Sequence, residues 1–358
     1  MAHDFDISPQ KEGSIPSYLY RQLFFTPREV TNVNLEGKTA IVTGSNCGVG
    51  LECCRQLLDL GISKLILAVR SQTRGQAAAA ELSKGRNLTE RSLEVWDLDH
   101  LSYDSVRAFA DRAKTLERID IVILNAGSLP MKQTINPHTG HDECVQVNYL
   151  SPGLLLVMLL GVIKDKPKSQ PTRITITSSD GASWTKFSER TNKPLLPSLN
   201  KPDNWSPLDR QFLSKLLGQF FVSKLASIVP SSMAVVNMAT PGMVHDSNIS
   251  RESRDSLMGK IAEPIRRRMG YTSAVAARLI TDAAVNHGAE THGQYLSEQR
   301  LKPVAPIIYT AEGQALREQI WEETLAEFSF ADMGGIVRGM ARDTGAAVER
   351  ERANKSKE

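Results

Sequence analysis

Thr43-Gly44-Ser45-Asn46-Cys47-Gly48-Val49-Gly50 decides the reading of this chain because of what stands on either side of it. Before it runs Thr39-Ala40-Ile41-Val42, short, apolar and rich in β-branched residues; after it runs Leu51-Glu52-Cys53-Cys54-Arg55-Gln56-Leu57-Leu58, which has helical spacing. A glycine turn between a buried strand and a helix leaves bare backbone N–H groups at the helix N-terminus, with no Cβ to block a diphosphate. Gly44 supplies the turn, Gly48 the close approach and Gly50 the helix-to-sheet packing, with Ser45, Asn46 and Val49 completing the cradle. Three glycines alone are a weak signal, since surface loops often hold as many.

The rest of the chain supports that turn. Leu65-Ile66-Leu67-Ala68-Val69, Leu93-Glu94-Val95-Trp96, Ile121-Val122-Ile123-Leu124, Ile174-Thr175-Ile176-Thr177 and Ala234-Val235-Val236-Asn237-Met238 are further short apolar runs, separated by segments of helical length. Near-continuous apolar strands alternating with helices mark a parallel sheet covered on both faces. The expected fold is α/β, a Rossmann-type doubly wound parallel sheet in a single domain with N-terminal and C-terminal extensions. Residues 1–36 read as a leader whose apolar part, Ile15 to Phe25, packs on the domain as a short helix. Residues 37–330 form the domain, and 331–358 a charged tail, mobile or weakly helical.

Lys and Arg number 43 against 40 Asp and Glu, a formal charge of +3, and the basic residues are scattered. That leaves no electrostatic footprint for a nucleic acid. Cys47, Cys53, Cys54 and Cys144 have no paired spacing, which fits a reducing compartment, and the polar, acidic N-terminus lacks a signal peptide's layout. Leu150 to Ile163 is interrupted by Pro152 and Gly153 and falls short of the about 20 apolar residues of a spanning helix. A cytoplasmic protein without a transmembrane segment is expected.

The spacing T-G-x-x-x-G-x-G resembles the short-chain dehydrogenase/reductase family, and further stations of that family follow in order. Asp97 matches its adenine-contacting aspartate, Asn125-Ala126-Gly127 its N-A-G, Asn148 the asparagine of its active-site helix, Ser179 its catalytic serine, and Pro241-Gly242 the turn beside the nicotinamide, with Val244 just after. Thr291 to Leu296 and Glu312-Gly313-Gln314 are similar to filamentous-fungal, retinol-dehydrogenase-like members, so the resemblance spans about residues 15–330. It implies a nicotinamide cofactor, a dimer or tetramer, and chemistry on alcohols and ketones.

The end of the second strand distinguishes the dinucleotides. An acid there holds the ribose hydroxyls of NAD, whereas an arginine attracts the 2′-phosphate of NADP. Ala68-Val69-Arg70-Ser71-Gln72-Thr73-Arg74 has no acid. NADP is expected over NAD, with Arg70 contacting it.

In the family a tyrosine four residues before a lysine exchanges the proton, the lysine lowers the phenol's pKa and binds ribose, the serine holds the substrate oxygen, and the asparagine holds a water. In Asp209-Arg210-Gln211-Phe212-Leu213-Ser214-Lys215 the lysine position is Lys215 and the tyrosine position is Gln211. A second register, on Lys224, places Phe220 there, so neither supplies a phenol. A glutamine amide donates a hydrogen bond but does not titrate. Ser179, Lys215, Asn148 and Gln211 are the candidate catalytic group. The leading reading is an NADP-dependent oxidoreductase acting on a lipophilic alcohol or ketone, such as a fungal secondary-metabolite intermediate. Its rivals are a non-redox isomerase or dehydratase and a cofactor-binding protein without catalysis.

Weaker signals read blandly. His138, His141, Asp142, Glu143 and Cys144 lack the further ligands and helical context of a zinc site, so no metal is expected. Cys53 and Cys54 read as helix packing, and His245 as a loop histidine beside the pocket. Trp184, Phe187 and Trp205 lie between the serine and the lysine, where they serve either as core or as an apolar substrate wall suited to a small hydrophobic substrate.

Overall fold

The computed structural model describes residues 5–341 apart from 90, 168, 202, 204, 248–263 and 265. A leader of two helices, α1 (Pro9–Glu12) and α2 (Ile15–Phe24), precedes the alternating region. There β1 (Thr39–Thr43), α3 (Gly48–Asp59), β2 (Lys64–Val69), α4 (Gln72–Ser83), β3 (Leu93–Asp97), α5 (Tyr103–Ala113) and β4 (Ile121–Leu124) form one half. The other half contains α6 (Glu143–Lys164), β5 (Thr172–Thr177), α7 (Pro207–Ala226), β6 (Ala234–Ala239) and α8 (Ser273–Val285). After it come β7 (Tyr295–Ser297), β8 (Arg300–Lys302), α9 (Ala311–Glu327) and a last helix, α10, over 333–341.

The sheet order is β3-β2-β1-β4-β5-β6-β7-β8, parallel throughout except for the β7–β8 edge. All six apolar runs are strands. The order reverses between β1 and β4, and such a switch point opens a crevice at the carboxyl ends of the strands. Thr43 closes its floor, its hydroxyl accepting from the amides of both Asn125 and Ala126 at 3.0 Å.

Packing explains the helices on each face. On one side Cys53, Cys54 and Leu57 of α3 are fully buried with Ala276, Ala277, Ile280 and Ala284 of α8, whose small side chains let the two helices approach closely. This is the packing role expected of the cysteines. On the other side α6 is apolar all round and buried nearly all round. It runs for 22 residues, longer than its Pro152-Gly153 interruption suggests, because Pro152 directly follows a π-helical stretch, Gln146–Leu150, where the regular i→i−4 ladder is already interrupted. Length and composition suit α6 to a bilayer, but its side chains are already covered by protein.

Part of that cover is the chain's C-terminus. The boundary expected at 331 is displaced: α10 buries Met333, Val337 and Met340 in the main core, and Ile336 lies 3.4 Å from the position of a Cβ on Gly161 of α6. The methionine and valine spacing of 3 and 4 is helical, but it sits next to Gly334-Gly335, which masks it in the sequence. Residues 342–358, the most charged part of the expected tail, lie outside the described residues. Truncation after Asp332 removes three buried apolar side chains, each contributing roughly 1.5–3 kcal/mol. Chemical denaturation should show a loss of several kcal/mol and a tendency of the exposed α6 face to associate; an unchanged midpoint would show that α10 is dispensable.

Candidate active site

Above the switch point lies one cleft of about 1110 Å³, open to solvent, running from Arg70 and Arg74 at one end to Ser179 and Gln211 at the other. Its floor is the glycine turn. Gly44 (φ +64°) and Gly48 (φ +57°) adopt a backbone conformation that favours glycine. A Cβ on Gly44 would stand 2.9 Å from the Ala126 backbone, and one on Gly50 would stand 2.4 Å from the Gly44 carbonyl. A Cβ on Gly48 would meet Ser247 and the Ser273 hydroxyl at 3.8 Å, an ordinary contact distance. Gly44, Asn46, Gly48 and Val49 face the cleft, whereas Ser45 and Gly50 lie buried outside its lining. Gly50 therefore packs the helix against the turn, as its position suggests, whereas Ser45 lies beneath the cradle and not in its lining. Cys47 also faces the cleft, as the N-cap of α3. This cradle, which a Cβ would fill, fits a diphosphate on the start of α3.

At the end of the cleft beside β2, Arg70, Ser71 and Arg74 line the wall. Both arginines are exposed and neither forms an ion pair with the described residues, so their charge is available to an anion. Glu143 shares this end; burial and Asp142 raise its carboxyl while Arg70 draws it down. Asp97 is exposed at the end of β3 and outside the lining, where Leu98, Asp99, His100 and Leu101 stand instead. The chain turns inward after Asp97, burying Leu98 and His100. Burial pushes His100 down to about 4, leaving a neutral ring at neutral pH.

Asn125, Ala126 and Gly127 line the middle of the cleft. The Asn125 amide donates to the carbonyls of Thr43 (3.2 Å) and Gly44 (3.5 Å), tying β4 to the glycine turn. Asn148 sits in the π-helical stretch, but its side chain is turned from the cleft. Its carbonyl accepts from the Ser128 amide (2.7 Å), and its NH2 donates to the Ser128 carbonyl (2.9 Å) and the Ser214 hydroxyl (3.1 Å). With both hydrogens committed, the side chain positions the loop after Gly127.

Ser179, Gln211 and Lys215 meet at the far end of the cleft with Pro241, Gly242 and Val244. Ser179 follows β5 and caps a short 3-10 turn, its hydroxyl accepting from Gly181 N at 3.1 Å. Gln211 and Lys215 are one turn apart on α7, hence on one face. Lys215 is only 9% exposed; its ammonium donates to the Thr177 carbonyl at 2.7 Å, and burial lowers its pKa to about 8. The Gln211 amide forms no hydrogen bond with the described protein atoms. The alternative register is settled by place: Lys224 pairs with Glu318 at 2.5 Å and Phe220 is core, both away from the cleft.

No tyrosine is among the residues lining the cleft, so the missing phenol is not replaced from elsewhere among the described residues. Of the two places open to the three aromatics between the serine and the lysine, core or cleft wall, none of them takes the cleft wall. Trp184 donates to the Gly13 carbonyl, Phe187 is 2% exposed in the core, and Trp205 donates to Asp142. The apolar wall is made by Leu129, Pro130, Val147 and Val244, with Ser178, Ser128 and Ser247 as polar additions. Proximity to N-A-G and to Asn148 was the available signal for Leu129, Pro130 and Val147. His245 does not line the cleft; its backbone pairs with Tyr271. His141 pairs with Glu327, and the described residues contain no cluster of three metal-ligating side chains.

Comparison with known proteins agrees with this geometry. Residues 38–188 match the family model described as short chain dehydrogenase. Short-chain dehydrogenase fogG of Aspergillus ruber is 44% identical over 96% of this chain and 100% of its own length. This chain is a member of the short-chain dehydrogenase/reductase family. Two further fungal members, mfmJ of Annulohypoxylon moriforme and virL of Hypocrea virens, are each 38% identical over 95% and 92% of this chain and 99% and 96% of their own lengths. Among solved structures, a putative NAD(P)-dependent gluconate 5-dehydrogenase from Beutenbergia cavernae, with NADP bound at low occupancy, aligns at TM-score 0.56. It is 19% identical, over 74% of this chain and 96% of that one. A glucose/ribitol dehydrogenase-type member from Brucella melitensis also aligns at 0.56, with 17% identity over 78% and 100%. At such identities the structures show the fold alone, and the family's oxidoreductase character comes from the sequence relatives.

Proposed function

We propose that this family member is an NADP(H)-dependent oxidoreductase that interconverts a ketone and an alcohol on a lipophilic small molecule, with Lys215 moving the proton. The observation that carries the proposal is the convergence of Ser179, Gln211 and buried Lys215 at the apolar end of the cleft that begins at the glycine turn. The glycine turn would hold the diphosphate, Arg70 and Arg74 the 2′-phosphate, and Pro241, Gly242 and Val244 the nicotinamide side. When bound, the nicotinamide supplies or accepts the hydride.

This chain's residues do the rest. A carbonyl oxygen entering past Leu129 and Val244 accepts from the Ser179 hydroxyl and the Gln211 amide, two donors aimed where negative charge develops. Lys215 gives the proton as reduction proceeds and recovers it from solvent. An acid is most effective when its pKa lies near working pH, and the depressed pKa of Lys215 serves this. The fungal origin of the relatives supports a specialised-metabolite substrate, and the four free cysteines support a cytoplasmic enzyme.

The test is loss of nicotinamide absorbance on mixing purified protein, NADPH and apolar ketones. Gln211→Tyr places a phenol one turn from Lys215 and should raise turnover by about 10- to 100-fold, below the full contribution of a positioned acid because Lys215 already supplies part of it. A cofactor that binds without turnover in either protein would overturn the oxidoreductase reading in favour of a binding role.

A further inference from the structure

We propose that the leader helix α2 is a clamp on the nicotinamide end of the cleft, with Arg21 and Gln22 as positioning residues; this rests on the dinucleotide reading above. Both side chains are buried although the helix lies on the outside of the sheet domain, 8% and 6% exposed. Gln22 grips the turn after β6. Its carbonyl accepts from Met243 N at 2.8 Å, and its NH2 donates to the Met269 carbonyl at 2.9 Å. A Cβ on Gly242 (φ +67°) would stand 2.8 Å from the same Gln22 carbonyl, so the glutamine lies directly against the residue that lines the cleft on its other side.

Arg21 holds the opposite wall. Its guanidinium bridges Glu12 of the leader and Asp180, the residue next to Ser179, each at 3.0 Å. The second Asp180 oxygen accepts from Thr240 at 2.7 Å, and the Thr240 hydroxyl accepts from Gly242 N at 3.2 Å. One continuous polar chain therefore links the leader to both cleft walls, Ser179 through Asp180 and Gly242 through Thr240 and Gln22. Tyr271 and Trp184 add further ties, donating to the carbonyls of Phe25 (2.7 Å) and Gly13 (2.8 Å). The clamp touches only the far end; the glycine turn and Arg70 are outside it.

That geometry separates positioning from plain stabilisation. NADPH reaches both ends of the cleft, whereas adenosine 2′,5′-bisphosphate occupies only the arginine end. Gln22→Met keeps the volume and removes the hydrogen bonds; Arg21→Lys keeps the charge beside Asp180, and Arg21→Met does not. At temperatures well below unfolding, Gln22→Met and Arg21→Met should weaken NADPH by about tenfold, roughly the worth of one or two hydrogen bonds, leave the bisphosphate within about twofold by the same scale, and be partly rescued by Arg21→Lys. Unchanged NADPH affinity, or equal weakening of both ligands, would overturn the clamp. Native protein that binds neither ligand would instead defeat the dinucleotide reading, and the clamp with it.

Discussion

Replacing Lys215 with methionine should lower turnover by about 100- to 10,000-fold, the usual contribution of a positioned acid or base. The pH profile gives a sharper readout than the rate itself. Burial holds the ammonium at about 8 in the folded protein. Reduction needs the protonated form, so its rate should be level below that value and fall as pH rises through it. Oxidation needs the neutral amine, so its rate should rise through the same range. No phenol lines the cleft to impose a second inflection, and in Lys215→Met the step near 8 should vanish in both directions. A native profile with no step there, or one that survives in the variant, would remove Lys215 from proton transfer.

The second large effect is expected at the arginine end. Each charged hydrogen bond to a phosphate contributes about 1.5–3 kcal/mol, so Arg70→Ala should weaken NADPH by about 10- to 100-fold. NADH, lacking the 2′-phosphate, should bind as before. Titration of both dinucleotides against native protein and Arg70→Ala checks this. Equal losses for the two would mean that Arg70 serves the diphosphate or the loop, and that the absence of an acid after β2 does not select NADP. Arg74→Ala, in the first turn of α4, should behave similarly but more weakly, because its longer reach leaves more rotamer freedom to lose on binding.

The parallel core was legible because its signals are local. Six β-branched runs and a glycine turn each specify their own conformation, and Gly44, Gly48 and Gly50 sit where the turn demands them. The register of Gln211 and Lys215 was legible for the same reason, since four residues on a helix share a face. β7 and β8 escaped notice because three residues are too few to show a period. Trp184, Phe187 and Trp205 show a different limit. An apolar residue in a long connection is equally suited to core or pocket, and only the path of the chain decides; here all three turn inward or toward the leader.

The polar links were the least legible. Arg21 meets Asp180 from 159 residues away, and Gln22 meets Met243 from 221. No spacing rule connects such pairs, so the leader read as an apolar helix laid on the domain when its two buried polar residues carry the attachment. Asn148 is similar: the π-helical stretch turns its amide onto Ser128, a contact 20 residues away that no spacing in the sequence announces.

The claim on which the rest depends is that the cleft over the glycine turn takes up a dinucleotide. Calorimetric titration of the purified chain with NADPH and with NADH measures it directly. One NADPH per chain, bound more tightly than NADH, is the predicted result; folded protein that associates with neither would contradict it.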